Sequence, residues 1–140
     1  QGPRYDNPNK GITGVGKEFI IFNYDALEMY RSVYICEGAL NALTIGDRGI
    51  ATMGKAISGY QVNELLKSSC ERFIILLDPD AKKYAINLAL KLVAYKKVKV
   101  VFLPEGKDVN DLGRKETLRL VYQTRYQSYQ DLIQIRNSLE

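Results

Sequence analysis

Asp78 and Asp80 stand at the end of the run Phe73-Ile74-Ile75-Leu76-Leu77, with Pro79 between them. Two carboxylates held this close repel each other, and a hard divalent cation such as Mg²⁺ is the usual remedy. The five apolar residues before them have the continuous pattern of a parallel strand covered by helices on both faces. Proline ends such a strand, because it has no N–H for the ladder and a fixed φ. In open α/β sheets ligand sites lie just beyond the carboxyl ends of the strands, which is where this pair falls.

Two more acidic groups occupy equivalent places. Glu37-Gly38 follows the apolar run Val33-Tyr34-Ile35-Cys36, and Asp108-Val109-Asn110-Asp111 comes soon after Val98–Leu103. Strand ends of one polarity share one edge of a parallel sheet, so the three clusters are expected to converge. If the first and third strands are neighbours, the chain reverses direction between them and opens a crevice at the switch point. A single acid after a strand also reads as a helix N-cap, and Asp80 alone fits that reading equally well. Three clusters at equivalent positions fit a shared site better than three caps or solvated turns.

Composition narrows the chemistry. The 140-residue chain is sized for one domain with a real core, and its 46% hydrophobic content is ordinary for a globular protein. It contains no histidine, which removes Ser–His and Cys–His nucleophile pairs and the usual zinc ligands. Cys36 and Cys70, the two cysteines, cannot make a four-ligand zinc site and read as buried free thiols, in keeping with the cytosol. No apolar run reaches the roughly 18 residues of a membrane span. The net charge of +4 points weakly to a polyanionic partner.

The elements that must position the acids follow in order. Gln1-Gly2-Pro3 reads as the remnant of a cleavable tag, which suggests a piece cut from a longer protein. Residues 4–30 form an arm or linker, with a possible strand at Phe19–Phe22 and a helical turn at Tyr24–Tyr30. Gly14-Val15-Gly16 superficially looks like a nucleotide-binding glycine loop, but no strand precedes it and a linker is the better reading. Ala39–Ile45 predicts a helix, and Ile50–Met53 a short strand. Ser58-Gly59-Tyr60-Gln61 is a capping-box pattern opening the next helix. Ala81–Ala94 carries a wide apolar face at helical spacing, ended by Lys96 and Lys97 at the negative end of the helix dipole. Leu118–Leu139 reads as one long, polar terminal helix, with residues 31–113 as the domain and 114–140 as a helical extension. Alternating strands and helices imply an α/β fold, with a parallel sheet of about four strands and right-handed crossovers.

With these residues in place, the chain resembles a Toprim domain, the catalytic fold shared by topoisomerases and bacterial-type primases. The resemblance rests on Val33-Tyr-Ile-Cys-Glu37-Gly-Ala-Leu-Asn41-Ala, Ala51-Thr-Met-Gly54, Asp78-Pro-Asp80 and Leu103-Pro-Glu-Gly-Lys-Asp108-Val-Asn-Asp111, and covers roughly Arg4 to Leu112. Among Toprim branches it is most similar to bacterial and phage DNA primases, down to the arm Arg4-Tyr-Asp-Asn-Pro8. It implies that Glu37 acts in phosphoryl transfer as acid, base or metal ligand, that Asp78 and Asp80 bind Mg²⁺ or Mn²⁺, and that Asp108 completes the site, with two ions. It further implies a single-stranded DNA template, ribonucleoside triphosphates, a replicative helicase reached through other parts of the parent protein, and a bacterial or phage-infected cytoplasm. One position departs from the pattern: members commonly carry an acid four residues after the glutamate, where this chain has Asn41.

Phosphate or nucleic-acid contacts are expected at Asn41, Lys55, Lys82, Lys83, Asn110 and Asp111. The bland alternative for Lys82 and Lys83 is a solvated helix face. The tyrosines read as packing rather than as a topoisomerase-like nucleophile. Two other functions share the motifs: a Toprim nuclease, and a non-catalytic DNA-binding scaffold of recombination or repair. A signal-receiver domain fits poorly, since its strand-end lysine position is taken by Pro104.

Overall fold

The computed structural model describes residues 16–140. The tag remnant, the start of the arm and the Gly14-Val15 part of the glycine segment lie outside the described residues. A 3₁₀ turn at Lys17–Phe19 leads in. The elements that follow are α1 (Ala26–Met29), β1 (Ser32–Cys36), α2 (Ala39–Ile45), β2 (Gly49–Ala51), α3 (Gly59–Lys67) and β3 (Arg72–Ile75). A second 3₁₀ turn, Pro79–Ala81, enters α4 (Lys82–Leu92), followed by β4 (Lys97–Val100), α5 (Val109–Leu112), α6 (Arg114–Gln123) and α7 (Tyr129–Ser138).

The four strands form one sheet in the order β2-β1-β3-β4, and every pair is parallel. The first and third strands are therefore neighbours, which puts the switch point between them. The apolar run of β3 is continuous because its alternate side chains serve two cores. Phe73 and Ile75 join Val33, Ile35, Leu65 of α3, Leu92 of α4 and Leu132 of α7 on one face. Ile74 and Leu76 join Cys36, Ala42 of α2, Val109 of α5 and Val121 of α6 on the other. Cys36 and Cys70 are buried free thiols, as their apolar surroundings suggested. Among the described residues no helix is long and apolar enough to cross a membrane.

Two expectations about local structure are corrected. The Phe19–Phe22 strand is reduced to one antiparallel bridge, in which Phe22 N–H donates to Ala51 O at 2.8 Å. The carbonyls just upstream are drawn away from the sheet by Gln61, whose Nε2 donates to Lys17 O (3.2 Å), Ile20 O (2.7 Å) and Thr52 O (2.8 Å). The same side chain accepts from Ser58 N–H at 3.0 Å and completes the expected capping box of α3.

The single helix expected over Leu118–Leu139 is two helices, α6 and α7. The break is imposed by tertiary structure. β4 is an edge strand with unpaired backbone groups, and such edges need covering. Gln127 supplies the cover: its N–H donates to Val98 O (3.0 Å), while its side-chain amide brackets Val100, accepting from N–H at 2.8 Å and donating to O at 3.1 Å. Lys99, buried on the same strand, caps the end of α6 by donating to Val121 O and Thr124 O, both at 2.8 Å. A continuous helix could not make these contacts.

Gly49 marks the closest approach of helix to sheet. A Cβ there would lie 2.3 Å from Ala42 O, inside the backbone of α2. Gly49→Ala is expected to destabilise the fold by about 1–3 kcal/mol, the ordinary cost of overpacking. Urea denaturation followed by far-UV circular dichroism measures it, and an unchanged midpoint would show that α2 can shift freely.

Candidate metal centre

Glu37 leaves the end of β1, and Gly38 then serves as the N-cap of α2. Asp78 follows the β3 run and begins the 3₁₀ turn, with Pro79 at its first position and Ala81 N–H donating to Asp78 O at 2.8 Å. These turns aim three carboxylates at one point. One oxygen from each of Glu37, Asp78 and Asp80 lies within 4.8 Å of the others. The Asp78 carboxylate makes no capping bond in its turn. The capping reading of Asp80 fails as well, because α4 is preceded by Ala81 and has no side-chain cap. Both carboxylates are left to the site.

The electrostatics record burial first and crowding second. Partial burial, reinforced by Asp78, raises the Glu37 carboxyl above its ordinary range, with Lys55 pulling the other way. Burial first, then Asp108 and Asp80, raises the Asp78 carboxyl. The Cys36 thiol beneath them is pushed up to about 12 by burial, with Asp78 adding to it. Lys55 is the cation seated in the cluster, its Nζ 3.1 Å from Asp80 Oδ2. It comes from the turn after β2, where Met53 holds a left-handed φ of 67°, a conformation that costs a non-glycine residue energy. Thr52 steadies that turn by donating to Gly54 O at 3.0 Å.

Glu37 Oε1 is buried and receives no hydrogen bond among the described residues. A buried unpaired carboxylate oxygen is costly, which makes it a mark of a site built for something else to occupy. Three converging carboxylates, one of them with an orphan oxygen, form a hard, all-oxygen donor set that fits Mg²⁺ or Mn²⁺.

The other expected residues divide. Asp108 faces the same cleft of about 330 Å³ as Asp78, Asp80 and Asp111, yet stands outside the three-carboxylate cluster. It forms a capping box for α5: its Oδ1 accepts from Asp111 N–H at 2.8 Å, and Asp111 Oδ2 accepts from Asp108 N–H at 3.0 Å. Asn41 is buried behind the acids, making a long 3.5 Å hydrogen bond to Asp78 Oδ1 and accepting from Asn110 N–H at 3.1 Å. Asn110 Oδ1 in turn accepts from Thr44 at 2.9 Å, so this network ties α5 to α2. Lys82 lies over the Phe102 ring at 5.7 Å, and Lys83 is exposed. Sequence reasoning passed over Glu105 and Lys107, which line the cleft from the loop after β4. Their place in the Leu103–Asp108 loop, one strand end away from Asp78, was the available signal.

With this geometry the comparisons with known proteins agree. A Toprim-like family model matches residues 34–113, and the chain belongs to that family. Its relatives include a DNA primase of Lactococcus lactis subsp. lactis (strain IL1403), 27% identical over 112 residues. That match takes in 74% of this chain and 17% of the primase. Among solved structures, the E. coli primase catalytic core superposes with a TM-score of 0.68, covering 89% of this chain and 44% of that one. At 17% identity this last likeness is one of fold. The chain is a Toprim domain related to DNA primase.

The raised carboxyls set a pH dependence. A carboxyl whose folded pKa exceeds its unfolded one binds more protons when folded, so stability falls as pH rises from the unfolded value through the folded one. Above that window the repulsion is fully present. Asp78→Asn is therefore expected to raise the Tm of the metal-free protein at neutral pH by about a few degrees, with little gain at pH 3. Mg²⁺ is expected to raise the wild-type Tm at pH 7.5 and much less at pH 4. Differential scanning calorimetry in EDTA and in Mg²⁺ reads both. A destabilised variant would show that Asp78 serves the fold.

Proposed function

We propose that this chain is the catalytic Toprim domain of a DNA primase, joining ribonucleotides into a primer on single-stranded DNA. The observation that carries this reading is the meeting of Glu37, Asp78 and Asp80 at the carboxyl edge of the sheet, with Glu37 Oε1 buried and unpaired. A domain that only bridged other proteins would have no use for that orphan oxygen or for the mutual repulsion around it. The relationship to a DNA primase supports the choice of polymerisation over hydrolysis.

In this reading Asp78 and Asp80 hold Mg²⁺ or Mn²⁺, and the free oxygen of Asp108 faces a second position in the same cleft. Bound there, divalent ions offset charge on the triphosphate and on the developing transition state. Glu37 has the partial burial and raised pKa suited to moving a proton at the primer hydroxyl or the leaving group. Lys55 orients Asp80 through its ion pair. Lys82, Lys83 and Lys107 stand near enough to the acidic edge to meet nucleotide or template phosphates, where cations supply affinity without sequence preference. Asn41 and Asn110 act behind the acids, fixing Asp78 and α5. Asp111 holds Asp108 by the capping box. Contact with a replicative helicase belongs to parts of the parent protein beyond this chain.

The test is a Mn²⁺ titration followed by NMR line broadening on wild type and on Asp78→Asn/Asp80→Asn. Broadening is expected at Glu37, the 78–80 turn and the 108–111 turn, and is expected to vanish in the double variant. Diffuse broadening that survives the substitutions sinks the catalytic reading. In the full-length parent, Glu37→Gln is expected to cut primer synthesis by roughly 10²-fold or more, the usual worth of a positioned acid or base. Wild-type synthesis would remove Glu37 from the chemistry.

A further inference from the structure

At the amino edge of the sheet, opposite the acids, a second cavity of about 400 Å³ opens over the α2–α6 face. Its walls combine rings and guanidinium groups: Tyr30 and Tyr34 from around β1, Arg48 from just before β2, and Arg114 and Tyr122 from α6. Nothing in the acidic site uses these residues, and the parallel topology keeps the two edges apart by the length of the strands.

Each wall has a defined state. Arg48 stacks over the Tyr30 ring at 5.0 Å, which leaves the edge N–H groups of its guanidinium to point elsewhere. Arg114 is anchored by Nε, which donates to Ile45 O at 2.8 Å and caps the end of α2. Its terminal nitrogens are not used by that bond. Tyr34 is half-buried, and burial raises its phenol above the ordinary range, with the Arg48 and Arg114 charges opposing the rise. Tyr122 is 76% exposed and, among the described residues, forms no aromatic or cation–π pair. At the rim of the cavity that ring offers an uncovered amphipathic face.

The combination selects its ligand. Two anchored arginines favour a phosphate, which they can meet with paired N–H donors. An exposed tyrosine ring beside them favours a flat aromatic group, and every nucleobase has such a face. Asp47, also at the rim, is the one acid among the lining residues and leaves the pocket net cationic. Its volume lies within the usual range for small-ligand sites.

We propose that this pocket binds a nucleotide unit of single-stranded nucleic acid, with a base stacked on Tyr122 and its phosphate between Arg48 and Arg114. It is a holding contact, separate from the acidic cleft. The choice of a strand as the source of the nucleotide rests on the primase reading, while the pocket chemistry does not.

Fluorescence anisotropy with a labelled dT12 oligonucleotide tests it, using the 140-residue chain in EDTA so that the acidic site is silent. Tyr122→Ala is expected to weaken binding about tenfold, and Tyr122→Phe to keep it, since stacking needs the ring and not the hydroxyl. Arg48→Ala is expected to weaken binding and to flatten its salt dependence. A parallel NMR titration with dTMP separates the sources: shifts at Tyr122 and Arg48 with equal sensitivity to Tyr122→Ala assign the pocket to free nucleotides. If Tyr122→Ala and Arg48→Ala both bind dT12 like wild type and dTMP moves neither resonance, the proposal is wrong. The Mn²⁺ result stands or falls independently of this outcome.

Discussion

The pairing of β1 with β3 is the constraint on which the rest of the molecule depends. It sets Ile35 against Ile75, and the ladder runs on past the formal end of β3, with Leu76 N–H donating to Ile35 O at 2.8 Å. That extension carries Glu37 and Asp78 to the same level at the carboxyl edge. A slip of one residue in any sheet exchanges its two faces. Here both faces of β3 are apolar, so the hydrophobic pattern by itself defines the register weakly. Definition comes from the ends. At the amino end Ser32 opposes Arg72, whose Nε donates to Ser32 Oγ at 2.7 Å. At the carboxyl end polar turns must leave the core together, and those turns are the site.

The acids are a local burden that the fold carries because its stability is supplied elsewhere. Two apolar cores, one on each side of the sheet, fix the strands independently of anything at the carboxyl edge. Against that rigid frame the Glu37–Asp78–Asp80 cluster cannot relax by moving apart. Burial first, and the neighbouring carboxylates after it, raise the Glu37 and Asp78 carboxyls instead. The left-handed Met53 that brings Lys55 to Asp80 belongs to the same logic, and Gln61 holds the neighbouring Thr52 carbonyl from behind. Strain at the edge and satisfaction beneath it are parts of one arrangement.

Much of this was legible in the sequence, and the failures have physical causes. The parallel sheet followed from apolar runs alternating with helical ones, and convergence of Glu37 with Asp78 and Asp80 followed from parallel topology alone. The capping box at Ser58 was visible because serine followed three residues later by glutamine is a strong local signal. Asp108 and Asp111 make the same reciprocal arrangement with two aspartates, a pair more naturally read as ligands. Asp108 caps α5 with one oxygen while lining the cleft, and spacing does not carry the information that it caps. The break in the terminal helix lay further out of reach. Residues 118–139 have helical composition throughout, and only the unpaired edge of β4 explains why Gln127 leaves the helix to cover it. That edge exists only once four strands have assembled.

Asn41 shows what the family comparison leaves to geometry. An acid at this position would add a fourth negative charge behind Asp78, in a place already partly buried. The amide does the opposite. Its Nδ2 turns a donor toward Asp78 Oδ1, and its Oδ1 accepts the Asn110 N–H that opens α5. A carboxylate could replace the second contact but not the first. The exchange lowers the total negative charge drawing a cation to the edge while giving Asp78 a directional partner that defines its orientation. Under the proposed function, fewer charges, better aimed, would suit a site that takes polyphosphate as well as metal, because each additional carboxylate that attracts the ion also repels the phosphate it would help to bind.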